Sequence, residues 1–155
     1  MATQITVPEG ALKAAHWPIG HIALAVDGSP ESLPAIALAK ELALAVGAEV
    51  TVLHFREKEL ARYGAPAVME TAEELFGLIR SAVKVLTDAG LTVNADIEDS
   101  KTLREAKPIA EAAERFDAQL IVVGSRGLST GHAAISGSVS HDLIHATKLP
   151  VLIAR

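Results

Sequence analysis

Short apolar runs alternate with longer segments of helical periodicity along most of the chain. The runs are each too short for a helix and are bounded by turn-forming residues. They predict five strands, over residues 22–26, 50–55, 91–97, 120–123 and 150–154. Apolar residues at helical spacing predict four helices between them, a first helix that ends at Gly47 and others over 68–89, 108–116 and 138–146.

The first helix has two possible starts. Ser29 suits an N-cap because Pro30 would then occupy the first turn, where its missing N–H costs nothing. Pro34 would in that case lie inside the helix and remove a backbone hydrogen bond. Ser32 as the cap, with Pro34 in the first turn, is equally compatible with the sequence.

The pattern indicates the α/β class. Strands that are apolar throughout are typical of a parallel sheet with helices on both faces. We therefore expect a three-layer α/β/α sandwich around an open, twisted, mostly parallel and Rossmann-like five-stranded sheet. Residues 120–123 would lie inside this sheet and 150–154 at its edge. Residues 21–155 would form the domain and residues 1–20 a loosely ordered N-terminal arm.

Composition narrows the partners that suit this fold. Half of the 155 residues are hydrophobic, which disfavours disorder, and a net charge of −5 leaves no large basic surface for nucleic acid. The chain has no cysteine, so disulfides and thiolate metal sites are impossible. It also lacks the roughly 18 uncharged apolar residues of a membrane helix and the features of a signal peptide. We expect a cytoplasmic protein without nucleic-acid or membrane partners.

A glycine-rich segment follows the fourth predicted strand. Gly124 and Gly127 stand three apart, and nine further residues lead to Gly137 and Ser138 at the start of the last helix. Glycines let backbone N–H groups approach a phosphate, and a helix N-terminus favours negative charge. The alternative is that these glycines only meet the geometry of a strand-to-helix turn.

This spacing resembles the nucleotide-binding signature of universal stress proteins. Residues 25–29, 52–55, 120–126 and 150–155 are similar to further strands and turns of that family, so the resemblance covers residues 21–155. It implies that the chain binds ATP, or ADP or AMP, with Mg²⁺. It also implies a homodimer formed through the last strand, whose bare edge would otherwise expose unpaired backbone groups. The alternative is that the N-terminal arm, residues 1–20, folds over this edge and protects it.

The resemblance implies roles for ten residues: Ala25, Asp27, Phe55, Gly124, Ser125, Arg126, Gly127, Gly137, Ser138 and Val139. Ala25 and Asp27 would lie by the nucleoside, and the backbone of Phe55 would meet adenine. The glycine-rich segment would contact ribose and phosphates. Arg126 would reach a phosphate or be solvated. Asp27 would hold the nucleotide's Mg²⁺ or act only as a turn residue.

Three functions are compatible with these residues. The leading one is a nucleotide-binding sensor or regulatory protein of the stress response. A slow ATPase or phosphotransferase is the second, although the sequence offers no obvious base. A nucleotide-free interaction module is the third. His141 and His145 have a spacing that can bind metal, but no third ligand is near them in the sequence.

Overall fold

The computed structural model describes residues 17–60, 66–68, 72–100, 106–125 and 139–155. Within these ranges the sheet has five parallel strands and one short antiparallel strand. The strands are β1 (His21–Ala25), β2 (Glu49–Leu60), β3 (Pro66–Val68), β4 (Val93–Ser100), β5 (Leu120–Gly124) and β6 (Val151–Ala154). The parallel strands lie in the order β4-β2-β1-β5-β6, and β3 pairs with the end of β2.

Four helices of the described ranges cover the two faces of the sheet. They are α1 (Leu33–Val46), α2 (Ala72–Asp88), α3 (Ala106–Arg115) and α4 (Val139–Ala146). Ile22 and Leu24 of β1 pack in one core with α1 and α2, whereas Ala23 and Ala25 pack in a second core with α3 and α4. The alternation of strand side chains thus produces the expected three layers. Among these helices, none is long and apolar enough to cross a membrane.

The predicted α/β fold is confirmed, with two local differences around β2. We expected residues 56–66 to be a charged connection, but β2 continues to Leu60 and turns back into β3. Backbone pairing with β4 sustains the extension as far as Glu57, and Arg56 donates to Asp99 of β4 at 2.8 Å. The helix predicted from residue 68 begins at Ala72, because Val68 belongs to β3.

Both candidate starts of the first helix are used, in succession. Ser29 precedes a 3₁₀ turn over Pro30–Ser32, and Ser32 then stands at the N-cap of α1 with Pro34 in its first turn. The helix ends where expected, at Gly47, whose φ of 71° is the left-handed conformation that glycine adopts at little cost. The Ser32 hydroxyl makes no cap hydrogen bond, because it is engaged elsewhere.

Residues 17–20 are attached to the amino end of the sheet. The side-chain oxygen of Gln119 accepts hydrogen bonds from the N–H groups of Gly20 and His21, both at 2.9 Å. The indole of Trp17 donates to the Gln119 carbonyl at 3.1 Å, and Ile19 packs against the core. A division of the chain between residues 20 and 21 stays a prediction.

Candidate functional site

The described site candidates meet at the carboxyl edge of the sheet. Ala25 ends β1 and pairs with Leu53 of β2 on one side and with Val123 of β5 on the other. Phe55 lies two residues beyond Leu53, and Gly124 ends β5 one residue beyond Val123. Residues far apart in the sequence are therefore neighbours here, as expected for parallel strands whose carboxyl ends share one edge.

Asp27 organises the turn that follows β1. Its Oδ1 accepts hydrogen bonds from the Ser29 N–H at 3.0 Å, the Ser29 hydroxyl at 2.6 Å and the Ser32 hydroxyl at 2.7 Å. In return the Asp27 N–H donates to Ser32 Oγ at 3.2 Å. Both serines are buried, so the carboxylate supplies acceptors that water cannot easily replace. This geometry supports the turn role weighed for Asp27.

The backbone of Phe55 faces the space beyond the end of β1. The Leu53 carbonyl accepts from the Val26 N–H at 2.9 Å, whereas the Val50 N–H is directed to the chain that leads into β4. Backbone groups of successive residues alternate in direction, so the N–H and C=O of Phe55 point to the same side as those of Leu53. Pairing with β1 ends opposite Leu53. We call the Phe55 N–H and C=O the Phe55 edge.

His54 is a site neighbour that sequence reasoning missed. Its side chain is buried, and its Nδ1 lies 2.9 Å from the carbonyl oxygen of Val26, immediately before Asp27. The contact ties β2 to the first residue after β1 and so fixes the path of the chain into the Asp27 turn. A histidine in a mostly apolar run was the available signal, since a buried ring nitrogen requires a partner.

On the other side of β1, the end of β5 is joined to β6. Gly124 pairs with Ala154, and the Ser125 N–H donates to the Ala154 carbonyl at 2.7 Å. An open cleft of about 480 Å³ lies here. It is lined by Glu31, Pro34, Ser125, Ala154 and Arg155. Glu31 and Arg155 were not predicted. Glu31 could have been noticed because it follows Pro30 in the turn after β1, and Arg155 because it follows the last strand.

The remaining site candidates belong to the glycine-rich segment. Val139, the first residue of α4, is half-buried and packs against the core under α3 and α4. The other four lie outside the described residues: Arg126, Gly127, Gly137 and Ser138. Their contacts with a ligand stay predictions.

A charged cluster lies beside Phe55 on β4. Glu98 is opposite Phe55 in the strand register, and Arg115 of α3 forms ion pairs with Glu98 and with Asp96, the latter at 3.0 Å. Burial raises the pKa of Glu98, a hydrogen bond with Asp96 raises it further, and the Arg115 charge opposes the shift. The side chain is about one-third exposed, so this cluster contributes little to stability.

Metal-ligating residues do not cluster in the parts of the chain that the structure describes. No group of three His, Asp or Glu side chains there could hold an ion. His141 and His145 lie on the exposed surface of α4, with ring centroids 5.4 Å apart. A role of Asp27 toward a nucleotide-bound Mg²⁺, which needs only one protein ligand, stays a prediction.

Known proteins resemble the chain over nearly its whole length. The family model for the universal stress protein family matches residues 18–155. A universal stress protein of Thermus aquaticus is 35% identical over 136 residues, which cover 86% of this chain and 97% of that protein.

Two solved structures share the fold described above. A universal stress protein in complex with cAMP has a TM-score of 0.68 at 24% identity, covering 89% of this chain and 98% of that one. One from Archaeoglobus fulgidus in complex with dAMP has a TM-score of 0.64 at 20% identity, covering 89% and 99%. The family model and the Thermus relative go beyond a shared fold: this chain belongs to the universal stress protein family.

Proposed function

We propose that this protein binds an adenine nucleotide at the carboxyl edge of its sheet and acts as a sensor or regulatory protein in a stress response. The observation that carries the proposal is the meeting of Ala25, Asp27, Phe55, Gly124 and Ser125 at one edge. The structural neighbours with bound cAMP and dAMP support it, because both ligands contain adenine.

The Phe55 edge fits the base. Adenine presents a hydrogen-bond acceptor, N1, beside a donor, the N6 amino group. The Phe55 N–H would donate to N1 and its C=O would accept from N6, much as a neighbouring strand would pair there. Guanine presents the opposite polarity at both positions, with O6 an acceptor and N1 a donor. The Phe55 N–H would then face a donor, and the Phe55 C=O would face an acceptor. Selectivity for adenine follows without any side-chain contact.

The phosphates would lie toward the glycine-rich segment. Gly124 ends β5 without a Cβ, Ser125 follows it, and the N-terminus of α4 lies beyond the segment. Gly127, Gly137 and Ser138 would supply further backbone and hydroxyl donors, and Arg126 a positive charge. With ATP, Mg²⁺ would neutralise phosphate charge, and Asp27 would be its protein ligand. ADP and AMP would bind through the same base contacts.

The described residues favour binding over catalysis. Phosphoryl transfer needs a positioned base and charge stabilisation at the transferred group. Asp27 is the acidic residue among the predicted site residues, and its Oδ1 already accepts three hydrogen bonds that maintain the turn. We therefore propose that binding of the nucleotide at the glycine-rich segment, and not its turnover, is the signal.

We also propose a homodimer formed along β6. Among the described strands, β6 pairs only with β5. The carbonyls of Pro150 and Ala154 accept from β5, so the backbone groups of Val151 and Ile153 face outward. A second copy related by a two-fold axis would satisfy both edges by antiparallel pairing. Ile153 is 37% exposed and would be covered by such a partner.

Glycine-to-valine substitutions test the nucleotide site. Gly127→Val and Gly137→Val should abolish ATP binding in titration calorimetry while the fold persists, because a branched side chain would enter the phosphate space. Gly77→Val is the matched control, since an added Cβ at Gly77 meets nothing within 4 Å and the residue lies in α2. Full ATP affinity in a folded Gly127→Val or Gly137→Val protein would mean that the segment is only a turn.

A further inference from the structure

The exposed surface of α4 carries two histidines that the nucleotide site does not use. His141 and His145 are one helical turn apart, and their ring centroids lie 5.4 Å apart in an edge-to-face arrangement. Both side chains are exposed, so a dissolved ion can reach them without opening the fold. Imidazole nitrogen is a good ligand for zinc, copper and nickel.

We propose that His141 and His145 form a two-point site for a divalent transition-metal ion, Ni²⁺, Cu²⁺ or Zn²⁺, with water in its other positions. The spacing of the rings suits the chelate. At a metal–nitrogen distance of about 2.1 Å, each ring centroid would lie about 3.2 Å from the ion. With one nitrogen of each ring turned toward the ion, a centroid separation of 5.4 Å would subtend an angle of about 115° there, close to the tetrahedral value that zinc adopts.

A carboxylate adjoins the pair. Asp142 Oδ1 lies 3.5 Å from His141 Nδ1. A carboxylate at one ring nitrogen commonly orients a histidine whose other nitrogen binds the metal, and it adds negative charge near the cation. The two turns of α4 that carry the histidines come directly after the glycine-rich segment, so a bound ion would stabilise the helix at the point where that segment ends.

Titration of the full chain, prepared without a histidine tag, with NiCl₂ tests the site. The wild type should bind one ion, and His141→Ala and His145→Ala should each weaken binding by about ten-fold or more, because one of two ligands is lost. Ni²⁺ should also raise the melting temperature of the wild type and not of the double variant. Circular dichroism and melting without metal show whether each variant is folded.

Two relocation variants separate geometry from histidine number. His145→Ala with Ala146→His keeps the count but places the second ring about 140° around the helix from His141, so Ni²⁺ binding should fall to the single-variant level. His145→Ala with Ile144→His keeps both rings on one face at a spacing of three and should retain binding. No binding by the wild type, equal binding by both relocation variants, or a site that survives in the folded double alanine variant would overturn the proposal.

Discussion

Replacing Asp27 by alanine should destabilise the protein measurably. The substitution removes the acceptor of three hydrogen bonds, at 2.6, 2.7 and 3.0 Å. Ser29 and Ser32 are only 8% and 5% exposed, so water cannot fully replace the lost acceptor for their hydroxyls. A buried polar group without its partner costs about 1–3 kcal/mol.

Two serine hydroxyls lose an acceptor, and we expect the loss of stability to lie near the lower end of the sum of their two costs. Ser32 Oγ still accepts a hydrogen bond from the backbone N–H of residue 27, so its hydroxyl group keeps one protein partner. We expect Asp27→Ala to lower the free energy of unfolding by about 2–3 kcal/mol, which corresponds to a decrease of about 5–10 °C in melting temperature for a chain of this size. Asp27→Asn keeps an oxygen acceptor and should lose about 1 kcal/mol.

Urea unfolding followed by circular dichroism measures these differences. Asp88→Ala is the matched control, because within the described ranges Asp88 forms an exposed helix pair with Lys84, and its loss should change stability by about 0.5 kcal/mol or less. An unfolding midpoint of Asp27→Ala equal to those of the wild type and Asp88→Ala would refute the conclusion that Asp27 holds the turn after β1.

Three further results are expected. Gln119→Ala should cost about 1–2 kcal/mol and shift the emission of Trp17, the chain's single tryptophan, to the red, since Gly20 and His21 lose their hydrogen bonds to the Gln119 side chain and the segment that carries Trp17 is loosened; unchanged emission would contradict the attachment. Light scattering should give twice the 16.2 kDa of one chain, and Ile153→Lys should weaken this dimer whereas the similarly exposed Leu44→Lys should not; a monomeric wild type would reject the dimer. ATP hydrolysis should be on the order of one turnover per hour or less, and a rate near the roughly 10 per second of ordinary enzymes would require a catalytic function.

The sequence predicted those parts of the fold that depend on hydrophobic pattern. Strands buried on both faces, such as β5 and residues 22–25 of β1, are apolar, and the helices show their period. The end of β2 was missed because it is sustained by backbone pairing and by the contact of Arg56 with Asp99, neither of which produces an apolar signal. Turn chemistry was only partly accessible: the sequence allowed two starting positions, and the structure uses both in succession, with neither serine hydroxyl making a cap hydrogen bond.

The site was predictable where it depends on chain order and not where it depends on tertiary contacts. Ala25, Phe55 and Gly124 meet because parallel strands share a carboxyl edge, which the strand assignment already implied. The contact of His54 with Val26 and the cleft beside Arg155 depend on which strands are neighbours, and a single sequence does not specify strand order. The resemblance to universal stress proteins supplied the roles that geometry alone does not assign.

Parallel calorimetric titrations with ATP and GTP, each with Mg²⁺, test the central claim most directly. Saturable binding of one ATP per chain is expected. GTP should bind about 30-fold more weakly or worse, because two mismatched polar contacts at the Phe55 edge would each cost on the order of 1 kcal/mol or more. No heat and no thermal shift at millimolar ATP would contradict nucleotide binding, and equal affinities for ATP and GTP would contradict recognition of adenine by the Phe55 backbone.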